Sequence, residues 1–405
     1  MLSKNRKFFA VLTSVTLVAT IVVASPAVAN FKQANPIGAA LKMPSSPVTL
    51  NLVDVAGDLQ VVQPMVESYM RRFPKRLASV NFETGDATEI AAKLKAQQAA
   101  GKLQIDLLLT GNDALAPSIE QGLLTKLFPD YNYQLGASVS RYLPGAKLMW
   151  EQAQGYAIVD DFGNYGPLLQ YLPKTVAKPP TTPAALLDWV KANPDGFTYG
   201  RPSNSGPGRA FVQGLPYILG DKDPQDPING WDKTWAYLKD LGKYIPYYTT
   251  GTGKSMRELA AGTKKIVPSS AGWDINVRAI GTVPKEAKVV AFENTTWMMD
   301  ATYLAIPKGE SADKLAVALD LMKWILTPSQ QAYAYDDGYM YPGPAIAGIV
   351  PAMAPASSRK VIRIYGRPEY PALLAKFPAL PQLPGKKLGA MFEKWDKEIG
   401  GDKLK

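Results

Sequence analysis

The stretch VTLNLVDVAGDLQVVQPMVESYMRRFP, residues 48–74, decides the fold. Val48 to Val55 is a short run rich in β-branched and apolar residues, the composition of a buried strand. Gly57-Asp58 breaks it and offers a helix cap. Val61, Val62, Met65, Val66, Tyr69, Met70 and Phe73 then recur at helical spacing until Pro74 closes the segment. The same alternation continues outward. Leu77–Phe82 reads as a second strand, Asp86-Ala-Thr-Glu89 as a capping box opening a helix, and Ile105–Leu109 as a third strand. Strand, helix, strand, helix, strand in this order predicts a parallel α/β sheet.

The rest of the chain keeps this style. Tyr156–Val159, Phe197–Tyr199, Lys265–Pro268 and Ala287–Phe292 read as strands. Thr182-Pro183 is an N-cap followed by a proline at the first helical position. Helices are expected near Pro207–Leu219, over Trp231–Leu241, and from Ser311 through Leu315, Leu319, Met322 and Ile325. Thr327 with Gln330 reads as a capping box for the next one. The tail carries Leu388, Met391, Phe392, Trp395 and Ile399 on one helical stripe. No internal repeat or low-complexity tract is evident.

Composition narrows the chemistry. The 405 residues contain no cysteine and no histidine. Disulfides, thiolate chemistry, the usual zinc sites and Ser-His-Asp triads are thereby excluded. Single cores stop growing near ~250–300 residues, so two domains are expected. Lys4, Arg6 and Lys7, the apolar run Phe8–Val23 and the small residues Ala27-Val28-Ala29 form a secretory signal in order, predicting a signal peptide over 1–29 and export to the periplasm. A membrane anchor is the alternative, but the run is short for a bilayer, which takes about 20 apolar residues. Residues 30–45 read as a flexible leader. The net charge is +10, and the cations are scattered apart from a mild excess after Arg359, so no nucleic-acid partner is expected.

Four stretches together resemble a known family. They are Ile105–Leu109 running into Thr110-Gly111-Asn112, with Gly122-Leu-Leu124 beyond; Gly155–Gly163; Phe197–Gly206 leading to Ala210-Phe-Val212; and Tyr303–Pro307, followed by Ser311–Leu326 and Thr327–Gln331. The chain resembles the family 1 extracellular solute-binding proteins of bacterial ABC importers, in their thiamine, polyamine and iron branch. The resemblance implies a type II periplasmic binding fold: two α/β lobes joined by crossover strands, with a ligand cleft between them. Lobe one would comprise 46–110 and 297–337, and lobe two 111–296 and 338–405. It further implies a monomer without catalysis or cofactor. Its partners would be a small solute and a membrane permease with its cytoplasmic ATPase.

In open α/β sheets ligands sit beyond the carboxyl ends of strands. Asp58 follows the first strand, Gly85 and Asp86 the second, and Gly111 and Asn112 the third. Asp58 and Asp86 read equally as helix caps. Asp160 and Asp161 would suit an ammonium or amidine, or else are capping charges. Ser203, Asn204 and Ser205 precede a helix whose free N–H groups would suit an anion, or Ser205 simply caps it. Trp273 beside Asp274, and Trp297 near Asp300, would stack and pair with a cation, or the aromatics belong to the core. Tyr339 and Tyr341 lie near the last expected crossover. No metal ligands are expected. These loops favour a cationic or zwitterionic organic solute, thiamine- or polyamine-like. An anionic solute (phosphonate, sulfonate or carboxylate) or a sugar is the alternative. A secreted hydrolase or lyase would need two paired carboxylates, for which Glu293 and Asp160 or Asp161 are the candidates. Gly253-Lys254-Ser255 lacks the upstream glycine of a P-loop, and Ser311-Ala-Asp-Lys314 reads as a cap.

Overall fold

The computed structural model describes residues 41–338 and 343–405. The expected signal peptide, most of the leader, Tyr339 and Tyr341 lie outside the described residues. The first sheet takes β1 (Val48–Asp54), β2 (Leu77–Thr84), β3 (Leu107–Thr110), β4 (Ala157–Gly166) and β8 (Trp297–Ala305) in the order β2-β1-β3-β8-β4, with β9 (Ala379–Pro381) beside β8. The second contains β5 (Leu168–Tyr171), β6 (Ile266–Ser269) and β7 (Lys288–Ala291) in the order β6-β5-β7.

The expected parallel pairing holds for β1 with β2 and with β3. β9 is also parallel to β8, but β8 runs antiparallel to β3 and β4, and β5 is antiparallel to both its neighbours. The reason is connectivity. β4 runs into β5 across Pro167 alone, and β7 leads to β8 through residues 292–296. β8 therefore returns from the second sheet and enters the first against the direction of β1 and β3. Phe197–Tyr199 makes only an isolated bridge, Phe197 to Ile266, rather than a strand. Its rings pack instead with Phe211, Tyr248 and Trp395.

Apolar periodicity explains the packing. Leu50 and Leu52 of β1 and Leu107 and Leu109 of β3 meet Val61, Met65 and Val66 of the Leu59–Arg72 helix in the first core. That core also takes Leu115, Leu127, Leu135, Met149, Val159 and Phe162, residues that the resemblance groups with the second lobe. A second core gathers Phe197, Tyr199, Phe211, Leu215, Trp231, Trp235, Met391 and Trp395. Thr182 caps its helix by accepting from the Ala185 amide at 3.1 Å, and Ser311 caps through the Lys314 amide at 3.4 Å. Asp86 forms no capping box. Its carboxylate accepts from Thr88 N–H and O–H, each at 2.7 Å, and the helix starts only at Ile90. Among the described residues no helix is long and apolar enough to cross a membrane.

Candidate functional site

Helix starts build the site. A cleft of about 990 Å³, its open mouth included, is lined by residues at the start of five helices. Ala56 and Gly57 precede Leu59–Arg72, and Gly111 precedes Asn112–Glu120. Asn204–Pro207 opens Gly206–Leu219, while Thr252 and Trp273 are the first residues of Thr252–Ala261 and Trp273–Ala279. Asp300, Ala301 and Thr302 of β8 complete the wall. Helix N-termini carry a partial positive charge, and here Asp54 already takes the Ala56, Gly57 and Leu59 amides and Ser205 the Gly208 amide. Gly57 at φ 78° and Gly272 at φ 90° hold backbone that other residues adopt only under strain.

Arg209 sits one turn into the Gly206–Leu219 helix and reaches across the cleft floor. Its guanidinium donates to Asp113 Oδ2 at 3.0 Å and to Asp300 Oδ2 at 2.9 Å. Burial disfavours its charge, but Asp300 and Asp113 outweigh that, and its pKa is raised. Its buried Nε–H has no hydrogen-bond partner in the protein. Asp113 and Asp300 each also accept a neighbouring backbone amide, at 3.1 and 3.0 Å. Phe211 and Leu215 of the arginine's helix belong to the second core, whereas Leu115 and Ala301, beside the two carboxylates, belong to the first. The clamp thus joins the two cores.

Of the sequence candidates, Gly111, Asn204, Ser205, Trp273 and Asp300 line this cleft. Ser205 caps its helix through the Gly208 amide at 3.2 Å and shares a hydrogen bond with Thr252, while the Asn204 amide donates to Thr250. Ser203 is buried just outside the lining. Gly85 and Asp86 are exposed elsewhere. Asn112 is buried and donates to the Leu383 carbonyl at 3.3 Å. Trp297 is buried edge-on to Phe377 in a small core. Asp274 does not line the cleft. Its carboxylate is fully buried and taken up by Arg278 at 3.1 Å, Arg367 at 2.6 Å and the Tyr370 hydroxyl. The expected role of Asp274 in holding a cation gives way to a structural one, because two guanidinium groups already neutralise it. Neither Glu293, Asp160 nor Asp161 lines the cleft, so the pair that a hydrolase would need is not assembled there.

Asp58, Asp160 and Asp161 come together behind the wall instead, all without solvent exposure, around the Thr302 hydroxyl. Asp58 does not cap its helix. Asp54 does, accepting from the Ala56, Gly57 and Leu59 amides at 2.8–2.9 Å. Burial first, then the charges of Asp161 and Asp160, pushes the Asp58 carboxyl well up. Burial and then Asp161 do the same to Asp160, and burial takes Asp161 up to about 7. Arg209, Asp113, Thr302 and Asp54 escaped the sequence reading. Asp113 was within reach, one residue beyond Asn112.

The comparisons give the class: the fold is that of the periplasmic binding proteins. A profile of the bacterial extracellular solute-binding proteins matches residues 65–360, and the chain belongs to that family. An ABC transporter structure from Clostridium perfringens is similar at TM-score 0.62 and 13 % identity, covering 86 % of this chain and 98 % of its own. A periplasmic thiamin binding protein gives 0.61 and 14 %, covering 89 % and 99 %. A GABA receptor structure gives 0.59 and 17 %, covering 86 % and 97 %. No curated protein matches the sequence.

Proposed function

We propose that this protein captures a small zwitterionic organic solute in the periplasm and delivers it to the membrane permease of an ABC importer. The observation that carries this reading is the Arg209 clamp at the meeting of five helix starts. The helix starts suit a carboxylate or phosphonate. Asp113 and Asp300 suit an ammonium, since each carboxylate has acceptor capacity beyond its bond to Arg209. Trp273 offers a flat apolar face for the solute's carbon frame. The fold neighbours lend support: one binds thiamin, an organic cation, and another is a GABA receptor, GABA being a zwitterion. The same likeness supports a two-lobe division, but the packing shifts the boundary. We assign 111–163 to the first lobe, because its apolar residues lie in the first core.

A thermal-shift panel tests the reading. Protein unfolded and refolded to strip carried solute would be melted with amino acids, aminophosphonates, simple carboxylates, thiamine, polyamines and sugars. A solute at about 100 times its Kd adds about 2.7 kcal/mol to the native state. Zwitterions should raise Tm by several degrees, and Asp300→Asn should weaken them. A response confined to polyamines would overturn the zwitterion assignment.

A further inference from the structure

We propose that Asp58, Asp160 and Asp161, with Thr302, form a buried site for one hard divalent cation, Ca²⁺ in particular, directly behind the solute cleft. Three carboxylates without solvent exposure have their nearest oxygens within 4.8 Å of one another. Besides the Asp160 and Thr302 backbone amides, the donor among them is a single hydroxyl. Thr302 Oγ1 lies 3.3 Å from Asp58 Oδ2, 3.2 Å from Asp160 Oδ2, and closer still to Asp161 Oδ1. One hydroxyl hydrogen serves one of them. Asp58 Oδ1, Asp160 Oδ1 and Asp161 Oδ2 are each buried with no hydrogen-bond partner. Unpaired buried charge is among the costliest arrangements in a protein, and carboxylates packed this closely call for a positive charge between them.

The backbone sets up the convergence. Adjacent residues of a strand normally point to opposite faces. The β4–β8 register slips between Val159 and Asp161, so that Asp160 and Asp161 together oppose Thr302. Such a bulge brings two neighbouring side chains to one side. Asp58 arrives from the start of the Leu59–Arg72 helix. The charges acting most strongly on Asp58 are those of Asp161, Asp160 and Asp54, all negative. An all-oxygen donor set selects a hard cation. Mg²⁺ retains several waters in strict octahedral geometry, whereas Ca²⁺ accepts six to eight irregular oxygens, as a dry cluster of carboxylates and a hydroxyl would supply. Thr302 lines the cleft wall and Asp58 follows Gly57, so the ion would brace that wall from behind.

The test titrates CaCl₂, MgCl₂ and MnCl₂ separately into EDTA-treated protein at neutral pH, by calorimetry, with melting in parallel. One Ca²⁺ per chain is expected, bound at least ~10-fold tighter than Mg²⁺. Binding should release protons, seen as heats that vary with the buffer's ionisation enthalpy. Saturation should raise Tm by several degrees. The Asp160→Asn/Asp161→Asn double variant should lose Ca²⁺ binding, yet melt higher than the metal-free parent because its repulsion is relieved. If that variant does not fold, Thr302→Val retains every carboxylate and should still weaken Ca²⁺ by roughly tenfold. Wild-type protein that binds none of the three ions, and whose melting follows pH alone, overturns the proposal in favour of shared protons. Undiminished Ca²⁺ binding in both variants, or tighter Mg²⁺, overturns it as well.

Discussion

At the scale of single residues, charge placement separates cleft from scaffold. Asp274 and Asp300 each follow a tryptophan in sequence, yet only Asp300 reaches the cleft. Asp274→Asn should lower stability by about 3 kcal/mol by disturbing a buried network, while solute affinity per folded molecule stays unchanged. Urea melts and calorimetry on the same sample check both halves. Arg209→Met leaves Asp113 and Asp300 unpaired and should cost about 3–5 kcal/mol, with solute binding lost. Glu310 gives a pH signature. Burial, then the nearness of Asp106, pushes its carboxyl up to about 7 from 4.5. Between those values the native state holds a proton that the unfolded chain has released, so stability falls as pH rises through that window. Glu310→Gln should flatten the fall, by about 1 kcal/mol for a half-buried group, measured as Tm against pH. Gly111, Asn204, Ser205 and Trp273 were legible because loops after strands and turns before helices announce themselves, and Asp300, inside β8, through its nearness to Trp297. Arg209 was not, because it lies inside a helix whose neighbours read as core, and only tertiary contact reveals its partners.

At the scale of elements, legibility followed periodicity. The β1–helix–β2 unit could be read directly, since its apolar spacing is regular and its breakers are glycine and proline. Leu109→Ala, at the middle of the first core, should cost about 2–5 kcal/mol. Thr182→Ala should cost only about 1 kcal/mol, since it removes one cap hydrogen bond. Comparing the two by denaturant midpoint separates core from cap. β4 was read only as far as Val159, where the sequence turns acidic. The strand nevertheless continues through Asp160 and Asp161 to Gly166, because it is paired with β8 along its length. Polarity there reports a buried charged cluster rather than the end of a strand. In the second sheet β6 and β7 were read to within a residue at each end, whereas β5, four residues directly after β4, carries too little pattern to be seen.

At the scale of the whole molecule, a division into two domains was within reach of pattern and resemblance, but the strand order and the pairing directions were not. They depend on which end of a sheet the chain re-enters, and no local residue encodes that. The Arg209 clamp has a further bearing. It ties a helix of one core to a helix and a strand of the other by two charge-assisted bonds in a nearly dry setting. Separating the halves breaks both bonds, whatever lies between them. A bound molecule whose escape needs that separation would be timed by the protein's own latch. Weak and strong solutes should converge on a common upper limit of escape rate in stopped-flow displacement, and Asp113→Asn should lift that ceiling for all of them alike.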